Sequence, residues 1–183
     1  MSEPVPKTAL LVVDMITTYD FDGADKLLDS ASEAVPNIAA LVERARDEGV
    51  DVVYVNDNYG DWRSSSTALV EKALESEHRD LLEPIAPDDD SLFVFKPRHT
   101  CFYETPLEYL LGQRDVDRVV FTGQATEQCI LYSALDAYVR HFQVAVATDA
   151  VAHIHGDLAR SALKMMELNM RAELCRAADC RLS

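Results

Sequence analysis

The chain has 183 residues, 48% of them hydrophobic and 27% charged, a balance that suits one globular domain over residues 1–183 and excludes a largely disordered chain. Lys and Arg number 17 against 32 Asp and Glu, a formal net charge of −15. Such a surface repels phosphate backbones and anionic lipid at long range, so no nucleic acid and no membrane is expected as the main partner. Solvated carboxylates for solubility, or a salty source environment, account for the acidity equally well.

Cys101, Cys129, Cys175 and Cys180 form no Cys-x-x-Cys pair and are too sparse for a disulfide scaffold or a cysteine zinc site. Residues 1–8 are polar and carry no apolar leader core. No apolar run approaches the roughly 18 residues of a membrane span. The expected location is cytoplasmic, with reduced thiols.

In chain order, short apolar runs alternate with helical patterns. ALLVV at 9–13 ends on Asp14, and VDVVYV at 50–55 ends before Asn56 and Asp57. The run at 92–95 ends on Lys96, that at 118–122 on Gly123 and that at 144–148 on Asp149, with a weaker sixth at 172–175. Between them, Ile38, Leu41, Val42 and Ala45 recur at helical spacing within 38–48, where Pro36 suits a first turn or a kink and Gly49 a stop. Residues 129–140 and 158–168 read as helices, and 62–82 as helical in part. The alternation predicts an α/β fold: a three-layer α/β/α sandwich around a central, mostly parallel, six-stranded Rossmann-like sheet. Sites in such sheets form beyond the carboxyl ends of the strands, which singles out Asp14, Asn56, Lys96, the 123–129 loop and Asp149.

Taken singly, each candidate has a plain alternative: Asp14 a turn or cap, Lys96 a snorkelling edge lysine, Cys129 a small buried filler. Cys129 stands out because GQATEQC, residues 123–129, puts it in the first turn of a helix after a strand. Thr126 suits the N-cap and Glu127 the first turn. Free N–H groups and the helix dipole there favour a thiolate and an oxyanion. Together the three residues make a base, a cation and a nucleophile: Asp14 takes the thiol proton, and Lys96 lowers the thiol pKa and keeps Asp14 ionised. No histidine is required, and none of the five shows paired metal spacing.

LLVVDM (10–15), VVYVNDN (52–58), FKPRHTCFYETPLEYLL (95–111) and VVFTGQATEQCILYSALDAYVRHFQVAVATDAVA (119–152) resemble, in order, the isochorismatase-like cysteine hydrolase superfamily, which includes nicotinamidases and N-carbamoylsarcosine amidohydrolases. The resemblance implies Asp14 as general base, Lys96 as the triad lysine and Cys129 as nucleophile. It also implies a cis peptide between Gln124 and Ala125, an oxyanion hole from the N–H groups of Ala125 and Cys129, and a homodimer or homotetramer.

The departures narrow it. Nicotinamidases carry Asp-x-His after the second strand, where this chain has Asp57-Asn58-Tyr59. They tend to carry Gln two residues after the catalytic Asp, where Ile16 stands. No metal and no cofactor is therefore expected. Cleavage of an amide, carbamoyl or ureido C–N bond of a small molecule through a Cys129 thioester leads. A vinyl-ether hydrolase, in which Asp14 acts as acid, and a non-catalytic binding member are the alternatives. Tyr19, Asn56, Trp62, Phe102 and Tyr132 are candidate substrate-binding residues by their nearness to strand ends or the nucleophile helix, with core or interface packing the plain reading for the aromatics. Cys101 reads as a small filler or a second active-site thiol.

Overall fold

A computed structural model describes residues 6–182; residues 1–5 of the polar N-terminal stretch lie outside it. Six strands, β1 (Thr8–Val13), β2 (Asp51–Asp57), β3 (Leu92–Lys96), β4 (Arg118–Gly123), β5 (Gln143–Val151) and β6 (Glu173–Cys175), make one sheet in the order β3-β2-β1-β4-β5-β6. Every pairing is parallel. The order steps outward from β1 to β3, then returns to lie on the other side of β1 with β4. The switch point therefore falls between β1 and β4, where their carboxyl ends leave a crevice.

The strands are apolar throughout because both faces are covered. Leu10, Val12, Tyr54, Val120 and Ala145 point to one side, into a core with α1 (Ala24–Asp47), α2 (Ser66–Leu74) and α3 (Arg79–Leu82). Leu11, Val13, Val53, Val55, Phe121 and Val146 point to the other, where α4 (Leu107–Gln113), α5 (Leu131–Val139) and α6 (Gly156–Met170) pack. This is the period of two expected of a strand. Ile38 and Leu41 of α1 are fully buried, each worth about 1.5–3 kcal/mol.

The structure corrects several expectations. Helix α1 begins at Ala24, not near Ile38, and Pro36 lies in its interior; the buried face Ala24, Leu27, Ala31, Ala34 and Ile38 carries the helical spacing across the proline. Residues 62–82, read as helical in part, do hold two short helices, whereas α4 was not anticipated. Strand β5 runs on to Val151, so Asp149 lies within it rather than beyond its end. Asp149 accepts from the Ala177 N–H at 2.7 Å and pairs with Arg176 at 3.2 Å, fastening the C-terminal segment. Among the described residues no helix is long and apolar enough to cross a membrane.

Candidate active site

Four strand ends converge at the switch point. Asp14 directly follows β1 in the left-handed region, φ 54°, a conformation that costs a non-glycine residue energy and is held here by its neighbours. Its N–H donates to the Val55 carbonyl at 3.0 Å. Its Oδ1 accepts from the Asp57 N–H at 2.9 Å, and its Oδ2 pairs with Lys96 Nζ at 2.9 Å. Lys96, the last residue of β3, is 1% exposed. Its ammonium has three donors, and they meet three acceptors: Asp14, the Arg98 carbonyl at 3.1 Å and Cys129 Sγ at 3.6 Å.

Cys129 comes from the segment after β4. Gly123 ends that strand at φ +103° with the Val13 backbone so near that a β-carbon would lie 2.1 Å from the Val13 oxygen. The Gln124–Ala125 peptide that follows is cis. Residues Thr126–Ile130 then form a π-helical turn, with the Ile130 N–H donating five residues back to the Ala125 carbonyl at 3.2 Å. Thr126 is not the N-cap: Ala125 holds that position without a side-chain cap. The Thr126 hydroxyl and N–H instead both donate to the Ala152 carbonyl at 2.8 Å. Glu127 Oε1 accepts from the Ile154 and His155 N–H groups at 3.0 and 2.7 Å. The turn that carries Cys129 is thereby tied to the loop after β5. The N–H groups of Gln124, Thr126, Gln128 and Ile130 donate to backbone carbonyls.

Burial sets the electrostatics. It pushes the Asp14 carboxyl above the usual carboxylate range, opposed by the Lys96 ammonium and by hydrogen bonds from Cys129 and Asp57. Burial disfavours the Lys96 cation, but the Asp14 and Cys129 sites outweigh it and hold the ammonium protonated. The Cys129 thiol is pushed up by burial and then by the Asp14 carboxylate, against the pull of Lys96. Both shifts keep the proton on the Cys129 sulfur and on the Lys96 nitrogen. The direction at Cys129 runs against the thiol-lowering influence expected of Lys96 and the helix start.

The three groups open on a cavity of about 220 Å³. Phe21, Leu27 and Ile154 form an apolar wall; Asp57, Tyr59, His99 and Gln128 supply polar rim, and Gln124 and Ala125 the floor beside Cys129. His99 Nδ1 stands 3.7 Å from Cys129 Sγ. A larger depression of about 570 Å³ runs along α6 and contains none of these groups.

None of the five residues named for substrate binding lines the cavity. Asn56 is fully buried and grips Ile16, accepting from its N–H at 2.9 Å and donating to its carbonyl at 3.0 Å. The Tyr19 hydroxyl donates to Gln124 Oε1 at 3.1 Å, and Gln124 Nε2 donates to the Asp14 carbonyl at 2.7 Å. Both residues hold the loop after β1 from behind. Trp62 is 74% exposed and outside the cavity. Phe102 is core, tilted against Phe142 with the Arg140 guanidinium 5.1 Å from its ring centre. Tyr132 meets His99 edge-on, ring centres 5.6 Å apart, and touches the cavity only through it. Buried Cys101 is pushed up to about 12 and donates its N–H to Ser133, consistent with a filler. Phe21, Leu27, Gln128 and Ile154 went unnamed in the sequence. The upstream spacing Ala24, Leu27, Ala31 was the available signal for the first two.

Residues 8–179 match the isochorismatase domain family. An uncharacterised isochorismatase family protein of Bacillus subtilis is 36% identical over 166 residues, which cover 91% of this chain and 92% of that protein. Maleamate amidohydrolase of Pseudomonas putida is 30% identical, covering 82% of this chain and 75% of its own length. The crystal structure of N-carbamoylsarcosine amidase from Thermoplasma acidophilum superimposes with a TM-score of 0.76 at 26% identity, over 96% of this chain and 99% of that one. The chain belongs to the isochorismatase family of hydrolases.

Proposed function

We propose that the chain hydrolyses a C–N bond of a small amide, carbamoyl or ureido compound through a thioester on Cys129. The observation that carries this reading is the cluster itself: Lys96 Nζ lies 2.9 Å from Asp14 and 3.6 Å from Cys129 Sγ, at the floor of a cavity. Because the thiol rests protonated, attack and deprotonation are coupled. Cys129 Sγ bonds to the carbonyl carbon as its proton passes to Asp14. The oxyanion that forms is met by the N–H groups of Ala125 and Cys129. Asp14 returns the proton to the leaving nitrogen as the C–N bond breaks and the thioester remains. Water then attacks the thioester, Asp14 takes its proton, the C–S bond breaks, and Asp14 reprotonates the departing sulfur. Lys96 stays charged throughout, so the cluster never holds two uncompensated anions.

The activities of two relatives, a maleamate amidohydrolase and an N-carbamoylsarcosine amidase, support C–N cleavage as the class. The proposal places the chain in a reducing cytoplasm as a homodimer or homotetramer. Screening amide and ureido compounds against wild type and Cys129→Ala, with mass spectrometry of quenched single turnovers, tests it. An acyl adduct on Cys129 and loss of turnover in Cys129→Ala are expected. Full activity in Cys129→Ala, or turnover with no adduct when hydrolysis of the thioester is slowed, would show the nucleophile assignment to be wrong.

A further inference from the structure

Charge on the cavity wall distinguishes between kinds of acyl group. Asp14 and Lys96 cancel each other as a 2.9 Å ion pair. The remaining fixed charge is Asp57, at the end of β2 on the cavity rim. Its Oδ1 accepts from the Tyr59 N–H at 2.7 Å, which fixes the carboxylate's orientation. Among the described residues no ion pair or hydrogen bond engages its Oδ2, and the side chain is half-buried rather than freely solvated. Among the described residues no arginine, and no lysine besides the already paired Lys96, lines the cavity; the Tyr59, His99, Gln124 and Gln128 side chains are polar but carry no fixed positive charge. The whole chain adds a formal charge of −15.

We propose that the site admits small acyl amides that are uncharged or cationic and rejects those carrying a carboxylate, with Asp57 as the specificity-determining residue. This rests on the amide-hydrolase reading above and deepens it. An acyl chain with an N–H or ammonium at its far end finds an oriented, unshared acceptor in Asp57 Oδ2. A carboxylate at the same place meets a like charge in a confined, partly desolvated space, where such a juxtaposition discriminates strongly. The apolar wall of Phe21, Leu27 and Ile154 offers it no compensating donor.

Two reagents of nearly equal shape read the charge preference without any turnover. Iodoacetamide is neutral and iodoacetate is an anion, and both alkylate a thiol by displacement of iodide. The rates are followed at Cys129 by peptide mass spectrometry at pH 8, and each is divided by the rate with glutathione. Wild type is expected to favour iodoacetamide by on the order of tenfold or more beyond glutathione, and Asp57→Asn to bring that ratio to within about threefold of glutathione. A wild-type ratio equal to that of glutathione, or one unchanged in Asp57→Asn, would overturn the proposal. The second arm compares turnover of three amides of equal backbone length: β-alaninamide (cationic), butyramide (neutral) and succinamate (anionic). Succinamate is expected to be the poorest by on the order of tenfold in kcat/KM, and Asp57→Asn to narrow the gap. Faster turnover of succinamate than of butyramide would overturn the proposal as well. If none of the three is hydrolysed while the alkylation ratio behaves as expected, the amide-hydrolase reading loses support and the charge selection by Asp57 stands.

Discussion

Gly123 and Val13 lie in contact at the ends of neighbouring strands, close enough that a β-carbon on Gly123 would sit 2.1 Å from the Val13 oxygen and 2.7 Å from its nitrogen. The Gln124 N–H donates to the same Val13 oxygen at 2.9 Å. This contact sets the spacing between Asp14, the next residue on one strand, and the turn that carries Cys129 on the other. No other residue type supplies both the φ of +103° and the missing side chain.

Gly123→Ala is therefore expected to lose more than about 3 kcal/mol, because backbone atoms rather than a flexible side chain must move. Gly49→Ala is the control. It also has positive φ, 68°, but nothing stands within 4 Å of an added β-carbon, so the cost is limited to about 1 kcal/mol of backbone strain. Urea midpoints of the two variants decide it; equal losses would mean that conformational preference, not the contact with Val13, fixes this glycine.

Asn56→Ala separates positioning from substrate contact. Removing the side chain leaves the Ile16 N–H and carbonyl without their buried partner, a loss of about 2–4 kcal/mol. A residue that only touched substrate would change KM and leave the melting temperature alone. The expected result is a lower melting temperature with a fall in kcat, since the loop that follows Asp14 loosens.

How much of this could be read from the sequence depends on what kind of information each residue carries. Asp14, Lys96 and Cys129 are legible because each follows a short apolar run, and parallel strands bring their carboxyl ends to one edge. Tyr19 and Asn56 lie near strand ends, but their side chains point to Gln124 and to the Ile16 backbone. Strand position gives proximity and not direction. Helix α1 was truncated at its proline because Pro36 reads as a boundary, while the buried stripe on both sides keeps the helix continuous. The direction of the Cys129 shift was illegible for a further reason. Position at a helix start favours a thiolate, whereas burial beside Asp14 raises the thiol, and burial depends on packing that a sequence does not print.

Lys96→Gln tests the ion pair through pH. Burial raises Asp14 and Lys96 lowers it, so removing the cation raises Asp14 further. In the proposed mechanism Asp14 must be ionised to accept the thiol proton, so activity is expected to fall as pH drops through its pKa. The acid limb of kcat/KM is expected above the ordinary carboxylate range in wild type and higher still in Lys96→Gln, by on the order of one to three pH units. Where the variant turns over too slowly, the protonated-carboxyl band in infrared difference spectra, taken against Asp14→Asn, gives the same titration. An unmoved limb would mean that Lys96 does not set the charge state of Asp14.

Asp14→Asn carries an opposite pair of effects. Turnover is expected to fall by roughly 10²–10⁴, the ordinary contribution of a general base. Yet the Asp14 carboxylate is one of the two leading influences that push the Cys129 thiol up, burial being the other, while Lys96 pulls it down. With the carboxylate neutralised and Lys96 retained, the thiol becomes more acidic. Thiolate absorbance in the ultraviolet, taken as the difference from Cys129→Ala in each background, is expected to appear at lower pH in Asp14→Asn than in wild type. The less active variant would thus hold more thiolate near neutral pH. That combination separates a coupled base from a standing ion pair. If Asp14 acted only by keeping a preformed thiolate in place, its loss would lower activity and the thiolate population together.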